Sequence, residues 1–164
     1  MPQPPEPDPI AVVGFWQICT GQLPELNEVE TPEAWAFGDS VETADELAAL
    51  VLSGRKRATA GLMREYLEEG EPLPQPGDLS IVVKGDGSPA CLIRTTEVRV
   101  GPLESVDDQF AWDEGEGDRT RAFWLREHRD FFARVTETGP PMPANPEVVF
   151  ERFEVVYPVS PVAD

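Results

Sequence analysis

The stretch LSIVVKGDGSPACLIRTTEVRV, residues 79–100, constrains the fold more than any other part of the chain. Two runs with strand composition, Val82–Lys84 and Ala90–Thr96, flank the turn sequence Gly-Asp-Gly. Glycine tolerates the positive φ that tight hairpin turns require. The segment therefore predicts a β-hairpin, and with it an antiparallel sheet.

Helical patterns surround this hairpin. The sequence IAVVGFWQICTGQL predicts a helix at residues 10–23 with an apolar face formed by Ile10, Val13, Trp16 and Ile18. A second helix, capped by Asp39 or Thr43 and ending at Gly54, presents Ala44, Leu47, Ala48 and Val51. The sequence RTRAFWLREHRDFFARVTETG predicts a third, with Trp124, His128, Phe131 and Val135 along one face.

Two shorter patterns complete the prediction. GLMREYLEEG is typical of a short helix that ends at Gly70, and EVVFERFEVVYPV is typical of a closing strand with Val149, Glu151, Phe153 and Val155 on one side. The chain has no internal repeat and no alternating strand–helix–strand pattern, which favours the α+β class. We expect a small bent sheet or barrel with helices at one opening. Residues 1–30 are predicted to form a tail and an accessory helix, and residues 31–164 are predicted to form the domain.

The charge of the chain restricts its partners. It carries 31 acidic and 13 basic residues, a net charge of -18. Binding of a long duplex depends on many lysine and arginine contacts, which are scarce here, so we expect no duplex DNA partner. A nucleoside, a nucleotide or a short single strand stays compatible with this charge. With no signal peptide and no apolar run of 18 residues, the sequence predicts a cytoplasmic protein without membrane contact.

The cysteines and histidine limit the metal chemistry. Cys19 and Cys91 are 72 positions apart, and the chain has one histidine, which excludes an ordinary zinc site built from these residue types. Both cysteines lie in apolar surroundings and are predicted to be buried, inert thiols. We expect neither a metal nor a cofactor.

SGRKRATAGL, residues 53–62, is a basic cluster that contains one of only two lysines, Lys56. Arginine is far commoner in this chain, so a lysine here suggests that a compact ammonium, or one able to lose its proton, is required. The alternative is a cation that favours the helix dipole at a helix end. Thr59 could be a hydroxyl activated by Lys56, or a cap of the next helix.

An acidic segment is the second candidate site. Seven carboxylates lie between Glu104 and Asp118 without a basic residue, and glycines separate Glu114 from Glu116 and Glu116 from Asp118. These carboxylates could orient a ligand amine or move a proton, or form a solvated loop in which Asp118 caps the following helix. His128, on the apolar face of the third helix, is expected to be a packed, hydrogen-bonded core residue.

The sequence resembles a known family at several places. GRKRAT fits the Gly-x-Lys-x-x-Thr signature of the ASCH domain, which is part of the PUA-like superfold. The segments AFGDSVETADELAALVLSGRKRATAGL, PGDLSIV, EGEGDR and ERFEVVYP are also similar to the longer bacterial ASCH proteins. The resemblance covers residues 35–158, and it leaves the first thirty residues unexplained.

The resemblance implies a small β-barrel with helices flanking one opening, and a cleft where the signature meets the acidic segment. PUA-like domains commonly bind RNA, and compact bacterial ASCH proteins are associated with hydrolysis of N4-acetylcytidine. The family residues fall on Lys56, Thr59 and Glu114, with Glu116 as the alternative carboxylate. The compact enzymes have an arginine soon after the threonine, where this chain has Ala60 and Gly61.

The leading hypothesis is therefore a protein that binds and hydrolyses a modified pyrimidine nucleoside or a related small amide. Its catalytic residues would be Lys56, Thr59 and Glu114. The candidate substrate-binding residues are Asp39, Arg55, Arg57, Glu116 and Arg119. The alternatives are an RNA- or nucleotide-binding module without turnover, and a ribonuclease.

Overall fold

The computed structural model describes residues 4–158. Of these, 4–54, 77–94 and 154–158 form one compact unit, the first unit, and Arg55–Pro76 with Thr95–Phe153 form another, the second unit. Residues 1–3 of the predicted tail and residues 159–164 of the predicted domain lie outside the described range. The boundary placed at residue 30 stays a prediction.

The described elements are five strands, five α-helices and two short 3₁₀ turns. The helices are α1 (Pro9–Gln22), α2 (Val41–Leu52), α3 (Met63–Glu69), α4 (Asp108–Glu114) and α5 (Arg121–Val135). The strands are β1 (Glu33–Trp35), β2 (Ala58–Leu62), β3 (Leu79–Val83), β4 (Pro89–Pro102) and β5 (Glu147–Tyr157), and the 3₁₀ turns are Pro24–Leu26 and Leu103–Ser105. In the first unit, β1 pairs parallel with β3, and β3 pairs antiparallel with β4; in the second unit, β2 pairs antiparallel with β5. The predicted α+β class is confirmed.

The predicted hairpin is confirmed in the first unit. β3 and β4 pair antiparallel, and the turn closes where the Lys84 N–H donates to the Ser88 carbonyl at 2.8 Å. Gly87 has φ +84°, as this kind of turn requires. The core of this unit consists of Val12, Trp16, Cys19, Leu26, Ile81, Val83 and Leu92.

The predicted first helix exists, but only Trp16 of the four residues predicted for its packed face is buried. Ile10 is 84% exposed, and Val13 and Ile18 are also exposed, whereas Val12, Trp16 and Cys19 are buried. Because most residues of α1 are apolar, the sequence spacing does not single out one face. The predicted helix cap was also wrong: Ser40 caps α2, since its Oγ accepts from the Thr43 N–H at 3.1 Å.

The second unit differs from the sequence prediction at two places that matter for the site. Thr59 does not lie in a turn or cap α3, because it is part of β2 and its Cα pairs with that of Glu151 on β5. The acidic segment is not a loop throughout, because α4 begins at a cap formed by Asp107 and ends at Gly115 with φ +75°. The core of this unit includes Ala58, Leu62, Leu103, Val106, Phe110, Ala111, Trp124, Phe132, Val148 and Phe150.

The cysteines follow the prediction. Cys19 and Cys91 are buried free thiols. Burial raises the pKa of Cys19 to about 11 and that of Cys91 to about 12, so both remain protonated and unreactive.

Among the helices between residues 4 and 158, none has both the length and the apolar character needed to cross a bilayer.

Candidate active site

Lys56 lies two residues before the start of β2, in a segment fixed through its backbone. The Arg57 N–H donates to the Asp113 carbonyl at 2.7 Å, and the Phe153 N–H donates to the Arg57 carbonyl at 3.1 Å. These bonds connect the segment to the last turn of α4 on one side and to β5 on the other. The position of Lys56 is therefore set by long-range pairing rather than by the preceding helix.

The Lys56 ammonium is buried between two carboxylates. Its Nζ lies 3.0 Å from Glu114 Oε1 and 3.0 Å from Glu116 Oε2. The side chains of Lys56 and Glu114 are 1% and 2% exposed, whereas that of Glu116 is 33% exposed. Glu114 ends α4, and the left-handed turn at Gly115 brings Glu116 back toward the same ammonium. One carboxylate of the pair is enclosed and the other reaches solvent.

The second oxygen of Glu114 is held by α5. Glu114 Oε2 accepts from the Trp124 indole N–H and lies 3.0 Å from His128 Nε2. The other ring nitrogen of His128, Nδ1, is 2.8 Å from the Trp124 carbonyl oxygen, and the two rings stack with centroids 3.8 Å apart. The side chains of Lys56, Trp124 and His128 thus converge on the Glu114 carboxylate. We call these four residues, together with Glu116, the buried cluster.

The buried cluster is charged. Burial alone would lower the pKa of Lys56, but Glu114 and Glu116 favour the ammonium more strongly and raise it above 10.5. Burial likewise opposes ionisation of Glu114, yet Lys56 and His128 outweigh it and lower the pKa of Glu114 to about 2. Burial opposes the imidazolium of His128, but the contacts with Glu114, Glu116 and the Trp124 backbone together outweigh it and raise the pKa of His128. Near neutral pH, Lys56 is therefore an ammonium and Glu114 a carboxylate.

Arginines fix the loop that follows α4. Arg55 donates from Nε to the Gly115 carbonyl at 2.7 Å and from Nη2 to the Gly117 carbonyl at 2.9 Å. Arg119 donates to the Trp112 carbonyl at 2.9 Å, and its guanidinium lies 3.7 Å from the centre of the Trp112 ring. Arg119 also has φ +65°, an uncommon conformation for a residue other than glycine. These contacts hold Glu116 in place beside Lys56.

Gly115 is a position in this loop where the backbone leaves no room for a side chain. Its φ is +75°, and an added Cβ would lie 2.3 Å from the Arg55 carbonyl oxygen and 3.0 Å from the Lys56 Cα. Both neighbours are backbone atoms, so they cannot rotate away. Gly115 therefore allows the close approach that brings Lys56 to Glu114.

We expect Gly115→Ala to lower the free energy of unfolding by more than about 2 kcal/mol, because left-handed strain adds to a backbone clash. The matched control is Gly70→Ala, which has φ +66° but open space around the added Cβ. That variant meets only the left-handed strain, about 1 kcal/mol. Chemical denaturation of both variants measures the difference, and equal losses would refute the predicted clash.

The structure brings together three of the predicted site residues, Lys56, Glu114 and Glu116. Arg55 and Arg119 hold the neighbouring loop, and Arg57 pairs with Asp113 at 3.0 Å. Thr59 lies three residues after Lys56, and its side chain is on the same face of the sheet as that of Glu151. Asp39 belongs to the first unit and precedes α2. The roles of these residues stay predictions.

Sequence reasoning did not identify His128 and Trp124 as parts of this cluster. The sequence pattern placed both residues on the packed face of a helix and predicted that His128 is a core residue. Trp124 is indeed buried. The available signal was their separation by four residues on α5, which puts both side chains on one side of the helix.

Within residues 4–158, no group of three histidine, cysteine or acidic side chains could hold a metal ion.

Residues 33–157 match the family model of the ASCH domain. A protein of Enterococcus faecalis V583 with a solved structure is 34% identical, with a TM-score of 0.82 over 90% of this chain and 88% of that chain. The ASCH domain from Lactobacillus crispatus JV V101 is 35% identical, with a TM-score of 0.82 over 92% and 96% of the two chains. None of the curated proteins matches. The similarity to these structures confirms the predicted PUA-like α+β fold.

Proposed function

Because the chain belongs to the ASCH domain family, we propose that the buried cluster is the active site of an amidohydrolase for N4-acylated cytidine or a related small amide. One observation carries the proposal. A lysine ammonium that is 1% exposed lies between two carboxylates, and one of these, Glu116, is accessible from outside. Such an arrangement supplies a proton donor and a proton acceptor side by side.

Hydrolysis of the amide would use both groups. The oxygen of a water molecule forms a bond to the acyl carbon, and its proton passes to Glu116. Lys56 stabilises the negative charge that develops on the carbonyl oxygen, then gives a proton to the exocyclic nitrogen as the carbon–nitrogen bond breaks. Glu116 returns its proton to Lys56, so the net reaction adds water and releases an amine and a carboxylic acid. As the family resemblance implies, Thr59 positions this water. If the Thr59 hydroxyl forms the bond to the acyl carbon instead, its proton passes to Glu116, and water then hydrolyses the resulting ester and frees Thr59.

The contacts favour different roles for the two glutamates. Glu114 already accepts from Lys56, Trp124 and His128, and it is enclosed. Among the described side-chain hydrogen bonds, the Glu116 carboxylate accepts from the Lys56 ammonium alone, and a third of the Glu116 side chain is exposed. Glu116 is therefore the carboxylate that substrate or water can reach, and Glu114 positions Lys56.

A second candidate function, an RNA- or nucleotide-binding module without turnover, is supported by a different observation. In a chain of net charge -18, four arginines lie around the site within the second unit: Arg55, Arg57, Arg119 and Arg152. Trp112 is 50% exposed beneath the Arg119 guanidinium, which is a surface that a nucleobase can stack on. A nucleotide or a short single strand, rather than a duplex, is the partner that this small patch fits.

The test is turnover of N4-acetylcytidine and a panel of N4-acylated cytosines, followed by chromatography. We expect product from the wild type, and a loss of at least about 100-fold in Lys56→Arg and in Glu116→Gln, because proton transfer by a positioned group contributes this much or more. Lys84→Arg is the matched control, since Lys84 is the other lysine and lies in the exposed hairpin turn of the first unit. Its turnover should equal that of the wild type.

Absence of product from folded wild-type protein would overturn the hydrolase proposal for these substrates. Binding of a short single-stranded RNA, measured at increasing salt, then tests the second candidate. A phosphate-binding site loses affinity steeply as salt rises, whereas a nucleoside site responds little. Cleavage of that RNA during the assay would identify the ribonuclease alternative.

A further inference from the structure

Both ring nitrogens of His128 face acceptors. Nδ1 is 2.8 Å from the Trp124 carbonyl oxygen, which can only accept a hydrogen bond. Nε2 is 3.0 Å from Glu114 Oε2, and the same oxygen accepts from the Trp124 indole. An ionised carboxylate also only accepts. This geometry requires a proton on each nitrogen, so it describes an imidazolium.

We infer that His128 is a positioning residue of the proposed site: its imidazolium fixes the Glu114 carboxylate against the Lys56 ammonium, and loss of its proton releases that carboxylate. The inference rests on the proposed function for its effect on turnover, but not for its effect on the cluster itself. It adds a titrating group to the lysine, threonine and glutamate of the family resemblance.

The consequence of deprotonation follows from the two contacts. A neutral imidazole has one N–H, so it can satisfy either the Trp124 carbonyl or the Glu114 carboxylate, but not both. If Nδ1 keeps the proton, the lone pair of Nε2 faces a carboxylate oxygen and repels it. Glu114 then keeps only the donors from Lys56 and Trp124, and its orientation toward Lys56 is no longer fixed from the α5 side.

The carboxylates around His128 favour the imidazolium. Glu114 on α4 is in direct contact, and Glu116 in the following loop adds to the attraction. The Lys56 ammonium contacts Oε1 of Glu114, the oxygen that His128 does not contact. On α5 itself, Arg129 pairs with Glu104 at 2.8 Å and so is directed elsewhere. Turnover should therefore be highest while His128 is protonated, and it should decline as pH rises through the pKa of this residue, which lies above 6.5.

The test uses the folded wild-type protein and NMR. With one histidine in the chain, its imidazole nitrogen signals are assigned directly, and the Lys84→Arg variant identifies which of the two lysine side-chain signals belongs to Lys56. We expect both imidazole nitrogens to be protonated near neutral pH, and the Lys56 signal to shift with the same midpoint as His128 while the Lys84 signal does not. A neutral imidazole near neutral pH, or a Lys56 signal that ignores the His128 titration, would overturn the inference.

Two variants separate positioning by charge from ordinary packing. His128→Gln keeps a side-chain N–H donor but cannot titrate, so the Lys56 shift with that midpoint should vanish, and kcat should fall about 10- to 100-fold with little change in KM. Trp124→Phe removes one donor to Glu114 but keeps His128, so the midpoint should remain. A midpoint that persists in His128→Gln would show that another group titrates and would refute the role.

These readouts distinguish this inference from the proposed function. The NMR titration needs no substrate, so it can succeed where the turnover assay fails. In that case the inference that His128 positions Glu114 remains valid, and it applies to a site that binds a ligand without turnover. If turnover is present but its pH profile is the same in His128→Gln, the inference fails and the hydrolase remains.

Discussion

Glu114→Gln is expected to lower the free energy of unfolding by about 3–5 kcal/mol near neutral pH, the usual cost of removing one partner of a buried ion pair. The substitution keeps the shape of the side chain, so little of the loss comes from packing. It removes the enclosed carboxylate from the Lys56 ammonium, which is 1% exposed, and it places an amide against the His128 imidazolium. Urea unfolding followed by circular dichroism measures the change.

The matched control is Glu68→Gln, because Glu68 forms an exposed pair with Arg64 on α3. Surface pairs of this spacing contribute only about 0.5 kcal/mol. Lys56→Met combined with Glu114→Gln should cost less than the two single changes together, since each single change removes an ionic partner from the buried charge that remains. Equal losses in Glu114→Gln and Glu68→Gln would show that the buried pair does not hold the second unit together.

The pH dependence of stability is the second large effect. The folded-state pKa of Glu114 is lowered from 4.5 to about 2, so its contribution, about 3 kcal/mol, is present above pH 4.5 and is lost as the pH falls toward 2. The folded-state pKa of His128 is raised above 6.5, so its contribution is present below pH 6.5 and is lost as the pH rises through the folded value. The stability that this cluster provides is therefore greatest between about pH 4.5 and 6.5.

Unfolding measured at a series of pH values checks this expectation. The difference in unfolding free energy between wild type and Glu114→Gln should shrink as the pH falls below 4.5, since protonation of Glu114 makes the two chains alike. In His128→Gln the decline above pH 6.5 should be weaker than in the wild type. A difference from Glu114→Gln that stays constant down to the lowest pH would contradict the buried ion pair.

Local sequence signals predicted the elements that depend on short-range chemistry. The Gly-Asp-Gly turn between two strand-like runs predicted the β3–β4 hairpin, and Gly70 predicted the end of α3. The sequence failed where local signals were weak or ambiguous. α1 is apolar on every side, so its buried face depended on what packs against it, and α4 was hidden in a segment that reads as an acidic loop.

The candidate site divides in the same way. A rare lysine in an arginine-rich chain and a pair of glycine-flanked glutamates singled out Lys56, Glu114 and Glu116 from the sequence. The distances between them could not be predicted, because Lys56 and Glu114 are 58 positions apart and meet only through the pairing of residue 57 with the end of α4. The part played by His128 was also invisible, since a histidine on an apolar helix face is usually a core residue.

By itself, the sequence determined the α+β class, the family and the residue types available for chemistry, because turns, caps and composition act over a few positions. Only the tertiary structure decided which of those residues meet and in which charge state. The reason is physical: the pKa values of Lys56, Glu114 and His128 arise from burial and from one another, at separations of about 3 Å that no local pattern encodes.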